Sequence, residues 1–197
     1  MPQQHHLASL VGSRLCHDLI GPIGAIGNGV ELMMLPGNER RDEVAMIAES
    51  VASLTARIRF FRVAFGTALA DQSISRSEVL AILSGLHPSG RIAITWSSAT
   101  DLRKAEIRAI FLLILCAEQG LRSTGRIHVQ QDGHGWSLSL SSPRLDPHAP
   151  HWALLKSDDH TGLSPAEVQF PLAALALASL GREMRLEPSN ETLRLSF

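Results

Sequence analysis

The chain has 197 residues, 45% hydrophobic and 19% charged, with a formal net charge of -1. That length can bury a sizeable core in one large domain or two small ones, and a near-neutral surface gives no field that would draw nucleic acid or an anionic membrane. Cys16 and Cys116 lie far apart without a CxxC pair, the start lacks a charged-then-apolar leader, and no apolar run is long enough to span a bilayer, which together point to a reducing cytoplasm.

The first third reads as a helical hairpin. Leu15, Leu19, Ile23, Ile26, Val30 and Met33 recur every three or four residues, the spacing of one buried stripe on a helix from His6 to Met34. The cluster Leu35-Pro36-Gly37-Asn38 ends it. A second helix from Glu39 to Phe65 carries Val44, Ile47, Val51, Leu54, Ile58, Phe61 and Phe65. This is a heptad seam, which calls for bundle packing. Two helices cannot enclose such a seam, so it pairs either with a second copy, as a dimeric four-helix bundle, or with the rest of the chain.

After a short connector at residues 71–74 the pattern changes. Ser75-Arg76-Ser77-Glu78 is a capping box opening a helix that ends near Gly85. Residues 91–97 alternate as a strand, and Leu102 to Leu121 is a helix apolar enough to be buried on several sides. Two strands, 126–131 and 136–141, flank the turn Asp132-Gly133-His134-Gly135. A loop rich in Pro, His and Asp leads to a second capping box, Ser164-Pro165-Ala166-Glu167, and a helix stopping at Gly181. Strands at 183–187 and 192–197 close the chain. The class is α+β, with a helical-hairpin unit over 1–70 and a helix-covered sheet over 71–197.

The informative residues sit in Cys16-His17-Asp18-Leu19-Ile20-Gly21-Pro22. At about 100° per residue, His17 lies about 200° from Leu15 and about 180° from Ile26. It therefore faces solvent, opposite the stripe, as a candidate phosphoryl acceptor. Asp18 is placed to hydrogen-bond and orient the imidazole and to support its cationic form. Pro22 cannot donate to the Asp18 carbonyl and crowds it, so a kink or loosening is expected one turn on. Leu10, Ser13, Arg14, Ile20, Gly21, Gly24 and Asn28 share the His17 face as a docking surface. Leu10 and Ile20 are its exposed apolar flanks, and Arg14 is available to phosphate oxygens or an acidic rim. Gly21 and Gly24 each cost about 1 kcal/mol in a helix interior, which suggests that something large approaches the backbone there.

This segment resembles the H-box of two-component histidine kinases. Leu15-Cys16-His17-Asp18-Leu19-Ile20 with Gly27-Asn28-Gly29-Val30-Glu31 is more closely similar to the ChpT-type histidine phosphotransferases. The resemblance implies a dimeric phosphotransfer bundle followed by a degenerate histidine-kinase-type ATPase fold. In that frame the asparagines of a working kinase fall near Leu113 and Ala117, which ligate nothing, and Leu138-Ser139-Leu140-Ser141-Ser142-Pro143 stands where an Asp-x-Gly-x-Gly loop would read adenine. No ATP binding is expected, nor any cofactor or metal of the chain's own, with Mg2+ supplied at the partner's receiver site. The implied donor is the receiver domain of a hybrid kinase (CckA-like), and the implied acceptors are cell-cycle response regulators (CtrA- and CpdR-like). Gly21 stands where bifunctional kinases carry Thr or Asn, which argues against phosphatase action. The absence of His-x-x-Lys-Gly argues against the monomeric phosphotransfer bundles.

Two other functions compete: a non-catalytic dimeric adaptor that binds response regulators, and a kinase remnant that still holds nucleotide. The intact His17-Asp18-Pro22 arrangement disfavours the first, and the missing asparagines and glycine loop disfavour the second. Cys16, one position off the stripe, is expected to be packed. Trp96, Trp136 and Trp152 read as core or rim, as do the helix-two phenylalanines and Val79-Leu80-Ala81-Ile82-Leu83. The remaining histidines show no zinc-like spacing.

Overall fold

The computed structural model describes residues 2–34, 41–69, 71–87, 89–98, 101–133, 135–157 and 161–197. The interhelical breaker cluster at 35–38, the start of helix two at 39–40, and the side-chain setting of His134 lie outside the described residues. Helix α1 runs over Pro2–Met34 and α2 over Arg41–Ala64. Strand β1 (Ser73–Ser75) leads directly into α3 (Arg76–Ser84), whose first turn is capped by Ser75 Oγ accepting from the Glu78 amide at 3.2 Å. Then follow β2 (Ile92–Ser97), β3 (Asp101–Arg103), α4 (Lys104–Leu121), β4 (Gly125–Asp132) and β5 (Gly135–Ser141). Two 3₁₀ segments, Pro150–Leu155 and Pro165–Glu167, precede α5 (Gln169–Ser179), β6 (Arg185–Pro188) and β7 (Thr192–Ser196).

The main sheet has the order β2-β4-β5-β7-β6, parallel at β2/β4 and antiparallel elsewhere. Alternation decides its faces. Ile127, Val129, Leu138, Leu140, Leu193 and Leu195 point to the core, while the register row Thr95, His128, Ser139, Arg194 faces out. At the β4–β5 turn, Asp132 pairs with Gly135, and Gly133 adopts φ +57°, the left-handed conformation glycine reaches without penalty. Helix α4 is the centre of the molecule. Its whole run from Ala109 to Ala117 is buried, with α2 and α5 on its flanks and the sheet behind it. Phe60 of α2 stacks on Phe111 of α4, with centroids 4.4 Å apart. The expected burial of Trp96, Trp136 and Trp152 is observed.

Three features differ from the sequence reading. Residues 73–75 and 101–103 form a short antiparallel ladder, so α4 starts at Lys104 rather than Leu102. A three-residue strand carries too little periodicity to show in sequence. The Pro/His/Asp loop contains a 3₁₀ segment that carries the buried Trp152. The helix after Ser164 is broken at Val168 into a 3₁₀ turn and α5.

The hairpin seam divides. Ile47 and Leu54 are half-buried and Phe61 is buried, and on α1 Leu15 and Leu19 pack against the main core. Close approach of the two helices is fixed at Gly29, where a Cβ would lie 2.6 Å from Ile47 Cγ1. The alternate seam positions Val44, Val51 and Ile58 are half exposed, as are Ile23 and Val30 of α1. One stripe of the heptad is thus satisfied within the chain and one is uncovered.

Candidate functional site

Helix α1 continues unbroken through Pro22, so the proline removes one amide donor from the Asp18 carbonyl without ending the helix. One turn before it, the His17 side chain is 87% exposed, the orientation expected from the periodicity. Its Nδ1 lies 3.1 Å from Asp18 Oδ1. A carboxylate can only accept, so in the neutral ring this contact places the hydrogen on Nδ1 and leaves the Nε2 lone pair facing solvent.

Asp18 is itself held. Its Oδ2 accepts from Arg14 Nε at 2.7 Å, and the Arg14 Nη1 donates to the Ala166 carbonyl at 2.9 Å and to Gln169 Oε1 at 3.1 Å. Both side chains of this pair are largely buried. Arg14 is therefore committed within the chain rather than free for phosphate, a correction to the sequence reading. Its fork matches one carboxylate and two carbonyl oxygens at once, which a lysine could not do. The residues it contacts lie in the turn fixed by the Ser164 capping box, where the Ser164 amide donates to Glu167 Oε2 at 3.0 Å. The Ser164 hydroxyl, donating to the same oxygen at 2.6 Å, and then the Ser164 amide hold the Glu167 carboxyl below its ordinary value.

A cleft of about 730 Å3 runs beside the histidine, lined on one side by Ser13, Arg14, His17 and Asp18 and on the other by Glu118, Gln119 and Ser164 to Ala166. Glu118 Oε1 accepts from His87 Nε2 at 2.8 Å. Another cavity, of about 620 Å3, lies on the open sheet face around Arg126, His128 and Arg194, with no residue of α1 in its wall. Among the described residues no cluster of three His, Cys, Asp or Glu side chains could hold a metal ion.

The structure brings Ser13, Arg14, His17 and Asp18 to this cleft. Ile20, Gly21, Gly24 and Asn28 are exposed along the continuing helix, and a Cβ at Gly21 or Gly24 would meet nothing within 4 Å. Leu10 is corrected: it is 8% exposed, packed with Leu7, Leu163 and Val168. A helix wheel places it near His17, but the turn leading into α5 closes over that end of α1. Cys16 is exposed rather than packed, whereas Cys116 is buried and its thiol is pushed up by desolvation. Reading the sequence did not find Gln169, Gln119 or the Ala166 carbonyl, because nothing local links Arg14 to positions more than about 100 residues away.

A family model described as the histidine phosphotransferase C-terminal domain matches residues 76–192, more than half of the chain. The chain belongs to this family. Protein phosphotransferase ChpT of Brucella abortus (strain 2308) is 31% identical over 129 residues, which are 64% of this chain and 61% of that protein. The match thus spans about three-fifths of its length. The 1.7 Å structure of a bacterial phosphotransferase superposes with a TM-score of 0.81 at 25% identity, covering 97% of this chain and 95% of that one. The histidine kinase AdeS of Acinetobacter baumannii is far more distant, at 11% identity and a TM-score of 0.44 over 91% of this chain and 95% of that one. In this phosphotransferase-family chain His17 lies outside the stretch the family model matches. The 97% structural coverage extends the likeness to the helical hairpin. No helix among the described residues is long and apolar enough to cross a membrane.

Proposed function

We propose that the chain is a phosphorelay histidine phosphotransferase. It accepts a phosphoryl group on His17 from the aspartate of one receiver domain and passes it to the aspartate of another. The observation that carries this reading is the Nδ1···Asp18 contact, which leaves Nε2 of an 87% exposed imidazole as the nucleophile. Nε2 attacks the aspartyl phosphate in line. The N–P bond forms as the P–O bond to the receiver aspartate breaks, and the carboxylate leaves with the electron pair. The ring becomes a phosphoimidazolium still bearing its Nδ1 hydrogen, and the Asp18 carboxylate offsets the charge. No proton needs to move. Positioning and charge do the rest, with Mg2+ on the receiver's side. The reverse sequence delivers the group to the second receiver.

ATP takes no part in this scheme. Leu113 and Ala117, where a kinase-type ATPase domain would hold its metal and phosphates, are fully buried apolar residues of α4. The uncovered stripe of Ile23, Val30, Val44, Val51 and Ile58 supports a second copy of the hairpin as its partner, giving the four-helix bundle. Charged substitution at Ile58 (Ile58→Asp) is expected to reduce the light-scattering mass to that of one chain, and a wild type that already has that mass overturns the dimer.

The test of the function mixes the protein with magnesium and a radiolabelled phospho-receiver, beside an ATP-only lane and a His17→Gln lane. Acid-labile, base-stable label on the wild type alone, and from the receiver alone, is expected. Label from ATP overturns the phosphotransferase-only reading. A receiver that binds but never transfers label makes the chain an adaptor.

A further inference from the structure

We propose that Gln169 is a positioning residue for His17, acting through Arg14 and Asp18 to hold the imidazole in its Nδ1–H tautomer. This rests on the phosphotransferase reading for its purpose but not for its geometry. Gln169 is completely buried at the first turn of α5. Its amide nitrogen donates to Gln119 Oε1 at 2.7 Å and to the Ala166 carbonyl at 2.6 Å. With both hydrogens assigned, the amide cannot be flipped: its Oε1 must face the Arg14 guanidinium, which has only donors to offer. The two glutamines therefore set where Nη1 of Arg14 sits, Arg14 sets the Asp18 carboxylate through Nε, and Asp18 sets the ring through Nδ1. An exposed i,i+4 ion pair by itself holds its geometry weakly, contributing only a few tenths of a kcal/mol. What makes this one firm is that the far side of the guanidinium is anchored in α5 and α4, in a site where any unpaired polar group is costly. The nucleophile of the hairpin is thus oriented from the other end of the chain.

The experiment reads 15N shifts of the His17 ring nitrogens in histidine-labelled full-length protein, with His17→Gln to assign the signals, and in parallel the rate of transfer from a phospho-receiver. Two variants are compared with wild type. Gln169→Leu removes the anchor. Arg14→Lys keeps the charge and the helix but cannot span Asp18 and the 166–169 turn together, and so serves if Gln169→Leu fails to fold. Both are expected to move His17 from a dominant Nδ1–H form towards a mixture of tautomers. Transfer should slow about 10- to 100-fold, the range that misplacing a reacting group commands. Wild-type ring shifts in a folded Gln169→Leu protein, or in Arg14→Lys, overturn the proposal. If no receiver ever labels the wild type, the phosphotransferase reading fails, while the ring shifts still decide the positioning.

Discussion

Replacing Gly24 by alanine should make the protein more stable and a poorer phosphotransferase. Gly24 lies in the interior of α1, and a Cβ built there meets no atom within 4 Å. The methyl group therefore neither clashes nor gains burial, and only the backbone contribution remains. Alanine is favoured over glycine in a helix interior by about 1 kcal/mol, which for a chain of 150–250 residues raises the melting temperature by about 2–4 °C. Gly21 should yield less. It precedes Pro22, and a Cβ on a residue before proline crowds the ring when the backbone is helical, so Gly21 has a structural reason that Gly24 lacks. If natural selection has left about 1 kcal/mol unclaimed at Gly24, a bound partner's approach to the His17 face accounts for it. The assay is thermal melting beside single-turnover transfer from a phospho-receiver. A Gly24→Ala protein that melts no higher refutes the energetic reasoning. One that melts higher and transfers at the wild-type rate refutes the docking explanation.

At Gly29 the same substitution should have the opposite sign, because its Cβ would sit 2.6 Å from Ile47 Cγ1. Overpacking costs about 1–3 kcal/mol, so Gly29→Ala should fall below Gly24→Ala by that amount in denaturant unfolding. Asp18→Asn keeps the shape of the carboxylate but withdraws the charge that faces both Arg14 and His17. Transfer should drop by about 10²- to 10³-fold, the range for removing one preorganised charge-stabilising group, measured by label appearing on the protein. His151 lies with its ring 4.8 Å from Trp152 and 5.4 Å from Phe170, and burial holds it below its ordinary value of 6.5 against the opposing pull of Asp146 and Glu167. The unfolded chain therefore takes up this proton first as the pH falls. Stability should decline as the pH drops from about 6.5 to the lower folded-state value, and His151→Phe should remove that part of the slope in urea titrations at stepped pH.

Much of the site was legible from local pattern. Helical period alone turned His17 away from Leu15 and Leu19, and adjacency alone put Asp18 within reach of its ring. Both helix starts were readable from a Ser and a Glu three residues apart: Ser164 and Glu167 close on each other as a capping box, and Ser75 Oγ caps the Glu78 amide. The continuous apolar run of α4 announced a helix buried on several sides. Leu10 and Arg14 were misread for one shared reason. Their surroundings are supplied by Leu163, Ala166, Val168 and Gln169, and a helical wheel has no means of knowing which distant turn covers one end of it. Cys16 erred the other way, since its side of α1 is exposed.

Sequence by itself determined what repeats over a few residues: the two long helices, the strand alternation, and an exposed histidine followed in fixed order by a carboxylate and a proline. Tertiary structure alone decided which stripe of the heptad is covered, that Arg14 is spent on the chain's own carbonyls, and that a buried glutamine of α5 stands behind the histidine of α1. The division follows range. Backbone geometry is dictated by neighbours along the chain, whereas hydrogen-bond partners are chosen by whatever burial brings within about 3 Å.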